Sequence, residues 1–503
     1  MRSYSSKIQE IRQKEYGYLN GVTYLDHAGC TLYPTSVMHK YAQDLTSNLF
    51  GNPHSASPSS MLSSDRVETV RSRVLKFFNA SPDHFDLVFV ANATAGIKMV
   101  MDGFRDLEEG YWYGYHRDSH TSLVGVREHA KASRCFTNDD QVEDWIASTS
   151  IVEKDPTKKL FAYPAQSNMN GRRSPLKWCG QIRKNKPNTY TLLDAAAYLT
   201  TGYLDLSNHQ DAPDFICLSF YKIFGFPDLG ALIVRKSSAA DILTKRKYFG
   251  GGTVKMVLSI DARWHSKRQE IHESLEDGTL PFHNIVALGH AMDVYIEIYR
   301  SPKQVSTHAS GLAKIAYERL SNLQYSNGAP VCEIYKDERA SYNDPTTQGP
   351  TVAFNIRQPD GSWVGKSKVE EAAIRNNIHI RSGGVCNPGG IASVLQWDSV
   401  GMKKNFNTGM TCGDKTDIMG EKPTGIVRIS LGAMSSMDDV EKFIFFVEQV
   451  YVYGGEMMGD TEPMRLKGEV QPPTSGAPSR GEEKKRILRN ILRNITGRNH
   501  TTA

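Results

Sequence analysis

Lys222 is the residue whose surroundings most directly predict chemistry. It lies within LSFYKIFGFPDLGALIVRK, residues 218–236, a run that otherwise reads as a buried strand. A lone buried ammonium costs several kcal/mol unless it loses its proton or gains a partner. Because the neutral amine is the form of lysine that condenses with an aldehyde, this position predicts a lysine that forms a Schiff base.

Pyridoxal phosphate is the aldehyde that proteins most often bind through such a lysine. Its ring nitrogen needs a carboxylate, and Asp194 ends the apolar run in TYTLLDAAAYL. Ligands of α/β proteins bind at the carboxyl ends of parallel strands, where such an aspartate would lie. The ring face needs a flat neighbour, for which His120 in DSHTSLVGVRE is the best candidate. Taken singly, Asp194 is equally consistent with a helix cap and His120 with an ordinary surface histidine.

The phosphate of this cofactor needs N–H and hydroxyl donors. Ala93 and Thr94 lie in FVANATAGIK, where a strand-like run ends and a helix-like run begins. The first N–H groups of a helix and its dipole favour an anion at that end. Ser219, three residues before Lys222, adds a hydroxyl. The prediction of a pyridoxal phosphate site depends on the whole set of residues rather than on any one of them.

The elements that would position these residues alternate between strand and helix. From about residue 20 to 240, short β-rich runs such as DLVFV, YTLLDAA, DFICLSF and LGALIVRK are separated by helix-like segments. This alternation predicts an α/β fold with a mostly parallel sheet. Residues 281–322 have the apolar spacing of helices, and a second, mixed α+β region follows them.

The predicted organisation has four parts. A helical segment (1–20) precedes a large cofactor-binding domain (21–299) and a smaller α+β domain (300–455). Residues 456–503 are rich in Pro, Gly, Ser and basic residues, which predicts a disordered linker and a basic tail. An alternative for the tail is a membrane-surface or partner helix, because five apolar residues fall on one helical face: Ile487, Leu488, Ile491, Leu492 and Ile495.

Composition excludes several other classes of protein. No apolar run approaches the roughly 20 residues that a membrane span needs. Charges near the N-terminus argue against a secretory signal, so we expect a cytoplasmic location. The seven cysteines include no C-x-x-C pair, so neither a disulfide framework nor a metal site is predicted. Residues 461–503 carry nine Lys/Arg and four Asp/Glu, which accounts for the whole net charge of +5 and argues against nucleic-acid binding by the rest of the chain.

Residues 21 to about 445 resemble the class V aminotransferase branch of the fold-type I pyridoxal phosphate enzymes. Within that branch they are most similar to the sulfurase part of eukaryotic molybdenum cofactor sulfurases, which are relatives of the cysteine desulfurases. The matching motifs are YLDHAG (24–29), GNPHS (51–55), NATAG (92–96), YPAQSN (163–168), LLDAA (192–196), SFYKIFG (219–225), EDGT (276–279), CNPGG (386–390) and VRIS (427–430). Each motif is short, but their order along most of the chain makes the resemblance specific.

The resemblance implies a fold-type I architecture and a role for each cofactor-binding position. It implies that Lys222 binds the cofactor covalently, that Asp194 faces the ring nitrogen and that His120 stacks on the ring. Asn168 is implied to bond to the ring hydroxyl. The residues implied to hold the phosphate are Ala93, Thr94 and Ser219.

Two further roles are implied for residues outside this set. Thr253 in FGGGTV would reach the phosphate bound by a second subunit, which makes the protein a homodimer. Arg428 in VRIS would bind the substrate carboxylate, since a guanidinium forms two parallel hydrogen bonds with such a group. The substrate implied by the family is L-cysteine or a related amino acid.

Cys386 decides which reaction the resemblance implies. It lies in RSGGVCNPGG, whose glycines and proline predict a mobile loop rather than a core position. A cysteine desulfurase needs a thiolate that attacks the sulfur of substrate cysteine, keeps it as a persulfide and carries it to an acceptor. Arg381 is a nearby cation that would stabilise the thiolate. Cys412, in the polar run TGMTCGDKTD, is the rival candidate.

Two features depart from the family. Its sulfurase loop usually reads cysteine, aromatic, cysteine, whereas Gly384 and Val385 precede Cys386 here. The C-terminal domain that binds the molybdenum cofactor in the family is not expected within the polar residues after 455. The identity of the sulfur acceptor therefore stays open.

Three hypotheses result from the sequence. The first is a pyridoxal phosphate-dependent sulfurtransferase that moves sulfur from L-cysteine through Cys386 to an acceptor, most like the molybdenum cofactor or its carrier protein. The second is a lyase or aminotransferase of a specialised biosynthetic pathway, which uses the same cofactor without persulfide chemistry. The third is a non-catalytic partner that keeps the fold for assembly, against which Lys222, Asp194 and Arg428 argue.

Overall fold

A computed structural model of the chain describes residues 4–148, 157–260, 262–411 and 413–454. The strands are β1 (Thr23–Tyr24), β2 (Phe85–Val90), β3 (Tyr111–His116), β4 (Ala132–Phe136), β5 (Lys158–Pro164), β6 (Thr189–Asp194), β7 (Phe215–Ser219), β8 (Gly230–Arg235), β9 (Val254–Leu258), β10 (Trp264–Lys267), β11 (Cys332–Ile334), β12 (Thr351–Ile356), β13 (Ile378–His379), β14 (Arg381–Gly383), β15 (Ile418–Met419), β16 (Lys422–Pro423) and β17 (Ile426–Ser430).

Within the described residues, one α-helix precedes the first strand, one follows the last, and the others lie between strands. They are α1 (Ile8–Glu15), α2 (Thr35–Ser47), α3 (Pro58–Phe77), α4 (Ala93–Arg105), α5 (Thr121–Val124), α6 (Asp139–Ala147), α7 (Trp178–Asn185), α8 (Tyr221–Phe224), α9 (Lys236–Ile242), α10 (Ile271–Leu275), α11 (Phe282–Tyr299), α12 (Pro302–Asn322), α13 (Lys366–Arg375), α14 (Pro388–Val394), α15 (Ser399–Asn407) and α16 (Met437–Val447). The helices predicted between residues 281 and 322 are thus α11 and α12.

A seven-stranded sheet with the order β2-β8-β7-β6-β5-β3-β4 forms the centre of the larger part. Its neighbouring strands are parallel except for β8, which runs antiparallel to β2 and to β7. Every residue of β2, β7 and β8 is buried, as expected for strands covered on both faces. The predicted α/β fold with a mostly parallel sheet is confirmed.

Alternating residues of these strands enter two separate hydrophobic cores. In β2, Leu87 and Phe89 pack into the core that includes buried residues of α3 and α11. Val88 and Val90 point to the opposite face and pack with buried residues of α4. The sheet therefore lies between two helical layers, which leaves the ends of its strands as the accessible part.

The register of this sheet gathers several strand ends along one edge. The opposed pairs at that edge are Pro164–Asp194, Asp194–Cys217, Ser219–Gly230 and Gly230–Val90. A Cβ atom on Gly230 would lie 2.6 Å from the Cα atom of Asn92, so only glycine permits the turn after β2 to approach β8 this closely. The turns after β2, β6 and β7 therefore meet.

A second, antiparallel sheet with the order β11-β12-β17-β14 packs on α12, α13 and α16 through its own hydrophobic core. Its register places Arg381 of β14 directly opposite Arg428 of β17. The strands of the larger sheet lie between residues 85 and 235 and those of this sheet between 332 and 430. The domain boundary at residues 299 and 300 stays a prediction.

The segment around Lys222 differs from the expected strand. β7 ends at Ser219, α8 forms a single helical turn, and β8 begins at Gly230. The apolar residues of this turn, Ile223 and Phe224, are buried in the core. The apolar residues of this run are typical of a strand, but in the structure they anchor a helical turn. Lys222 is half-buried in that turn.

Some predictions fall on residues outside the described ranges. These are the disordered linker and basic tail (456–503), the apolar helical face within that tail, and the rival cysteine Cys412. Within the described ranges, none of the helices combines the length and the apolar character that crossing a bilayer requires.

Candidate active site

A cavity of ≈330 Å³ lies at the edge where the strand ends meet. This volume is within the range of small-molecule sites. Its lining includes seven of the residues that the sequence singled out: Ala93, Thr94, His120, Asn168, Asp194, Ser219 and Lys222. The lining residues that sequence reasoning missed include Asn92, Ser122, Gln166 and Tyr221. The structure thus brings most of the predicted cofactor site together and leaves Thr253, Arg428 and Cys386 outside the lining.

The Lys222 side chain extends from α8 into this cavity. Burial lowers the pKa of its amine, the negative charge of Asp194 acts in the opposite direction, and the positive charges of Arg428 and Arg381 lower the pKa further. The net direction favours the neutral, nucleophilic amine. The electrostatics therefore suit the Schiff-base role predicted for Lys222.

Asp194 and His120 are both fixed by short local hydrogen bonds. The Oδ1 atom of Asp194 accepts from the N–H of Ala196 at 3.0 Å, in the turn that follows β6. His120 precedes α5, and its Nδ1 atom accepts from the N–H of Ser122 at 3.2 Å. Burial lowers the pKa of His120, with Asp194 opposing and Lys222 reinforcing that shift. A neutral imidazole ring held in one orientation suits the predicted stacking on a cofactor ring.

The N-terminus of α4 supplies the anion-binding end of the cavity. Asn92 caps this helix by accepting from the N–H of Ala95 at 3.1 Å. The N–H of Ala93 donates to the hydroxyl of Ser219 at 3.0 Å, and the hydroxyl of Thr94 lies 2.8 Å from that of Ser122. Three hydroxyls from separate elements thus surround a helix N-terminus, a setting that favours phosphate. Sequence reasoning missed Ser122 as a phosphate donor. The available signal was a hydroxyl-bearing residue only two positions after His120.

Asn168 contacts the loop that carries Cys386. Its Nδ2 atom donates to the carbonyl of Val385 at 2.6 Å, and its Oδ1 atom accepts from Nδ2 of Asn387 at 3.1 Å. An amide has two N–H groups, so one remains for the ring hydroxyl of a cofactor. The predicted role of Asn168 is compatible with this second, unpredicted contact.

Arg428 is buried on β17 and already has two partners. Its guanidinium donates to Oδ1 of Asp26 at 2.7 Å and to the carbonyl of Asn168 at 2.6 Å. Arg381 also binds Asp26, with its NH2 group 2.7 Å from Oδ2. Burial lowers the pKa of Arg428, and Asp26 opposes that shift. Sequence reasoning missed Asp26, since nothing in the YLDHAG motif identifies its partners.

Cys386 is exposed, in the short loop between β14 and α14. The carbonyl of Cys386 accepts from the N–H of Thr121 at 3.0 Å, so the loop lies at the rim of the cavity. Arg381, expected to stabilise its thiolate, is bound to Asp26. That hydrogen bond is the main cause of the raised pKa of Arg381, and Cys386 acts in the same direction. By contrast Cys179, Cys217 and Cys332 are buried, and burial raises the pKa of each of these thiols.

Thr253 lies outside the cavity of its own chain. Its hydroxyl donates to the carbonyl of Gly250 at 2.7 Å, immediately before the hairpin of β9 and β10. That hairpin exposes several large apolar side chains, namely Met256, Val257, Leu258, Ile260 and Trp264. The predicted contact of Thr253 with a second subunit stays a prediction.

The cavity residues fit pyridoxal phosphate in chemistry and in placement. They offer a lysine with a lowered pKa, a carboxylate at a strand end, a neutral aromatic ring and an N–H and hydroxyl cluster at a helix N-terminus. These are the separate requirements of the aldehyde, the ring nitrogen, the ring face and the phosphate.

Comparison with known proteins gives close relatives along most of the chain. A molybdenum cofactor sulfurase of Emericella nidulans is 56% identical over 473 residues, which cover 93% of this chain and 56% of the relative. A molybdenum cofactor sulfurase of Neosartorya fischeri is 57% identical over 437 residues, covering 86% of this chain and 51% of the relative. The chain therefore spans about half the length of the curated relatives it matches.

A solved structure and a family model also match this chain. The apo structure of a cysteine desulfurase from Thermococcus onnurineus NA1 superposes with a TM-score of 0.68 at 20% identity, over 89% of this chain and 98% of that one. At this identity the likeness establishes the shared fold. The family model for class-V aminotransferases matches residues 23–443. The predicted resemblance is confirmed, and the chain belongs to the class-V aminotransferase family.

Proposed function

We propose that the chain is a pyridoxal phosphate-dependent sulfurtransferase of the cysteine desulfurase type, which moves sulfur from L-cysteine through a persulfide on Cys386 to an acceptor. One observation carries the proposal: the cavity that gathers Lys222, Asp194 and His120 has the Cys386 loop hydrogen-bonded to its rim. An amine suited to covalent capture and a thiol suited to accept sulfur thus belong to neighbouring segments.

The cavity residues would hold the cofactor in one orientation. Lys222 supplies the amine for the aldehyde, since burial lowers its pKa. Asp194 would keep the pyridine nitrogen protonated, and the neutral imidazole of His120 would cover the ring face. When bound, pyridoxal phosphate supplies an electron sink for the bonds of the substrate amino acid. The remaining tasks of the chain are to orient that amino acid and to place a sulfur acceptor.

Three charged groups beside the cavity fit the carboxylate of an amino-acid substrate. Arg428 and Arg381 both bind Asp26, so the cluster has one positive charge in excess. The Nε atom of Arg428 is a buried donor with no acceptor among the described residues. Arg428 also reaches the cavity wall through the carbonyl of Asn168. We assign the substrate carboxylate to this cluster, with Arg428 as the forked donor.

Cys386 would take the sulfur from the substrate. Its thiolate attacks the substrate sulfur, so that an S–S bond forms as the bond between that sulfur and Cβ breaks. The electron pair of the broken bond stays on carbon, which takes up a proton. L-cysteine and the Cys386 thiol thereby become L-alanine and a Cys386 persulfide, without an external oxidant or reductant. Arg381 is close enough to interact with negative charge on this residue.

The acceptor of the sulfur is proposed from the relatives. The matched residues of this chain cover 56% and 51% of two molybdenum cofactor sulfurases, whose name identifies the molybdenum cofactor as their target. We propose the molybdenum cofactor, free or on a carrier protein, as the acceptor for this chain as well. Transfer of labelled sulfur from the loaded protein to that cofactor tests this assignment.

The proposed assembly is a homodimer in the cytoplasm. The hairpin that follows Thr253 supports a contact with a second copy, because it exposes several large apolar side chains and exposed apolar surface often marks an interface. Sedimentation velocity of the cofactor-loaded protein tests the dimer. A monomer with full cofactor occupancy would contradict the role of Thr253.

The activity is tested with purified protein that is supplied with pyridoxal phosphate and L-cysteine. We expect alanine to form and borohydride to fix the cofactor on Lys222. A lyase or aminotransferase, the alternative, acts without a persulfide, so product formation that is unchanged in Cys386→Ser would favour it. Protein that captures no cofactor would contradict both functions.

A further inference from the structure

The backbone that presents Cys386 adopts a strained conformation. Val385 has φ +43° and Cys386 has φ +54°, two consecutive side-chain-bearing residues in the left-handed region. For a β-branched residue such as valine this conformation is a true outlier. Backbone strain of this kind persists only where the surrounding structure holds it in place. The loop must therefore have anchors that offset this cost.

Asn387 provides the central anchor of this loop. Its side chain is fully buried, and Nδ2 donates to the carbonyl of Asp118 at 3.0 Å and to Oδ1 of Asn168 at 3.1 Å. Its Oδ1 atom accepts from the N–H of Gly390 at 2.9 Å and so caps α14. One side chain thus joins the Cys386 loop to two segments beside the cavity.

Both strained residues are bonded to the same two segments. Asn168 donates to the carbonyl of Val385, and the N–H of Thr121 donates to the carbonyl of Cys386. Gly389 lets the start of α14 come close, since a Cβ atom there would lie 2.3 Å from the carbonyl oxygen of Arg117. The thiol-bearing loop is therefore hydrogen-bonded to Asn168 and to the segment from Asp118 to Thr121 at the start of α5, and both supply cavity-lining residues.

We propose that Asn387 is a positioning residue, which acts through Asn168 and Asp118 to hold the Cys386 thiol at the mouth of the cavity. This inference rests on the proposed function, because it assigns Asn387 to the sulfur-transfer half of that reaction. The pair Asn168–Asn387 also joins the two halves of the site. Asn168 lines the cavity and is hydrogen-bonded to Val385 and Asn387. An interaction that fixes Asn168 therefore also fixes the loop that must receive the sulfur.

The substitution Asn387→Asp separates this role from the helix cap. Aspartate keeps the oxygen that accepts from Gly390, but it lacks the N–H groups that reach Asp118 and Asn168. We expect the amide hydrogen of Thr121 to exchange about fivefold faster, as for the loss of one ordinary hydrogen bond, while that of Gly390 keeps its wild-type rate. Hydrogen exchange of the cofactor-free protein measures both.

The kinetic signature follows from the same geometry. In Asn387→Asp we expect kcat for alanine formation to fall about tenfold, because a thiol displaced from its reacting position slows transfer. The KM for L-cysteine and the absorbance of the bound cofactor should stay at wild-type values. A merely structural role would instead reduce cofactor retention and raise KM together with the loss of kcat.

Asn138→Asp is the matched control, since Asn138 caps α6 by accepting from the N–H of Gln141 at 2.9 Å. It should change neither readout. Thr121 exchange and kcat both at wild-type levels in Asn387→Asp would overturn the inference, and so would an unprotected Thr121 amide in the wild-type protein. The exchange measurement needs no cofactor and no substrate, so its outcome is independent of a failure of the proposed reaction.

Discussion

The floor of the cavity and the Cys386 loop are positioned in different ways. Asp194 and Ser219 are the last residues of their strands, and the sheet register places both at the strand ends that line the cavity floor. The Cys386 loop has a strained backbone and is held by hydrogen bonds from Thr121 and Asn168. The sheet therefore determines where the cofactor would bind, while a few polar contacts determine where the thiol lies. Substitutions in the two regions should therefore have separable effects.

The largest effect is expected for Lys222→Ala, because Lys222 supplies the amine beside these strand ends and belongs with them to the cavity floor. Without the amine, covalent capture of the cofactor is lost and turnover falls by roughly a thousandfold or more, as for other residues that bond covalently to a reactant. Cofactor absorbance and borohydride trapping measure the capture. Lys98→Ala, which removes an exposed lysine paired with Asp102 on α4, is the control and should leave both unchanged. Retained covalent cofactor in Lys222→Ala would contradict this assignment.

The second prediction separates the loop from the floor. Cys386→Ser should keep the absorbance of the bound cofactor and abolish the conversion of L-cysteine to alanine, because serine cannot accept sulfur. Cys135→Ser, at another exposed cysteine, and Cys412→Ser should be nearly silent. Spectra and alanine assays on the three variants provide the comparison. Loss of the cofactor in Cys386→Ser would show that floor and loop are not independent.

A smaller effect is expected at Arg428, which lies between the two regions. Arg428→Lys should raise the KM for L-cysteine by about tenfold or more, because lysine cannot form the two parallel hydrogen bonds of a guanidinium. Cofactor capture should not change. Arg357→Lys, at a partly exposed arginine paired with Glu333, is the matched control. An unchanged KM would move the substrate carboxylate away from this cluster.

The smallest effect concerns His27, which belongs to neither region. Burial lowers its pKa from 6.5 to about 3, while Asp26 opposes that shift. A base with a depressed pKa must be neutral in the fold, so its stability contribution is complete above pH 6.5 and is lost as the pH falls towards 3. The free energy of unfolding should therefore drop by about 1 kcal/mol between pH 7.5 and 5.5 through this residue.

Urea unfolding at the two pH values measures this loss. His27→Asn should flatten the dependence on pH, whereas His129→Asn, at an exposed position, should not. The spectrum of the bound cofactor should be unchanged at both values, as expected if acid weakens the fold rather than the cavity floor. An equal slope in wild type and His27→Asn would contradict the assignment.

Sequence reasoning predicted the floor better than the loop for a physical reason. Strand ends are visible in a sequence as polar residues after apolar runs, which is how the sequence indicates Asp194, Ser219 and the start of α4, and all three line the cavity. The single turn of α8 has the sequence pattern of a strand, because a short buried helical turn and a buried strand are both rich in apolar residues. The left-handed backbone at Val385 has no such signal, since neither it nor Cys386 is a glycine.

The contacts of Asp26 and Asn387 were also beyond the sequence. Asp26 joins Arg381 and Arg428 across more than 350 positions of the chain. Asn387 depends on Asp118 and Asn168, which come from other parts of the fold. Such long-range polar pairs leave no periodic pattern, so only the three-dimensional arrangement reveals them.

The role of Cys386 as sulfur carrier is tested most directly by a single turnover in the absence of any acceptor. The protein, loaded with pyridoxal phosphate, is mixed with one equivalent of L-cysteine, and its peptides are analysed by mass spectrometry without reduction. A persulfide on Cys386 predicts one alanine for each additional sulfur atom found, with that sulfur on the peptide containing Cys386. Alanine without a modified Cys386 peptide, or sulfur on another cysteine, would contradict it.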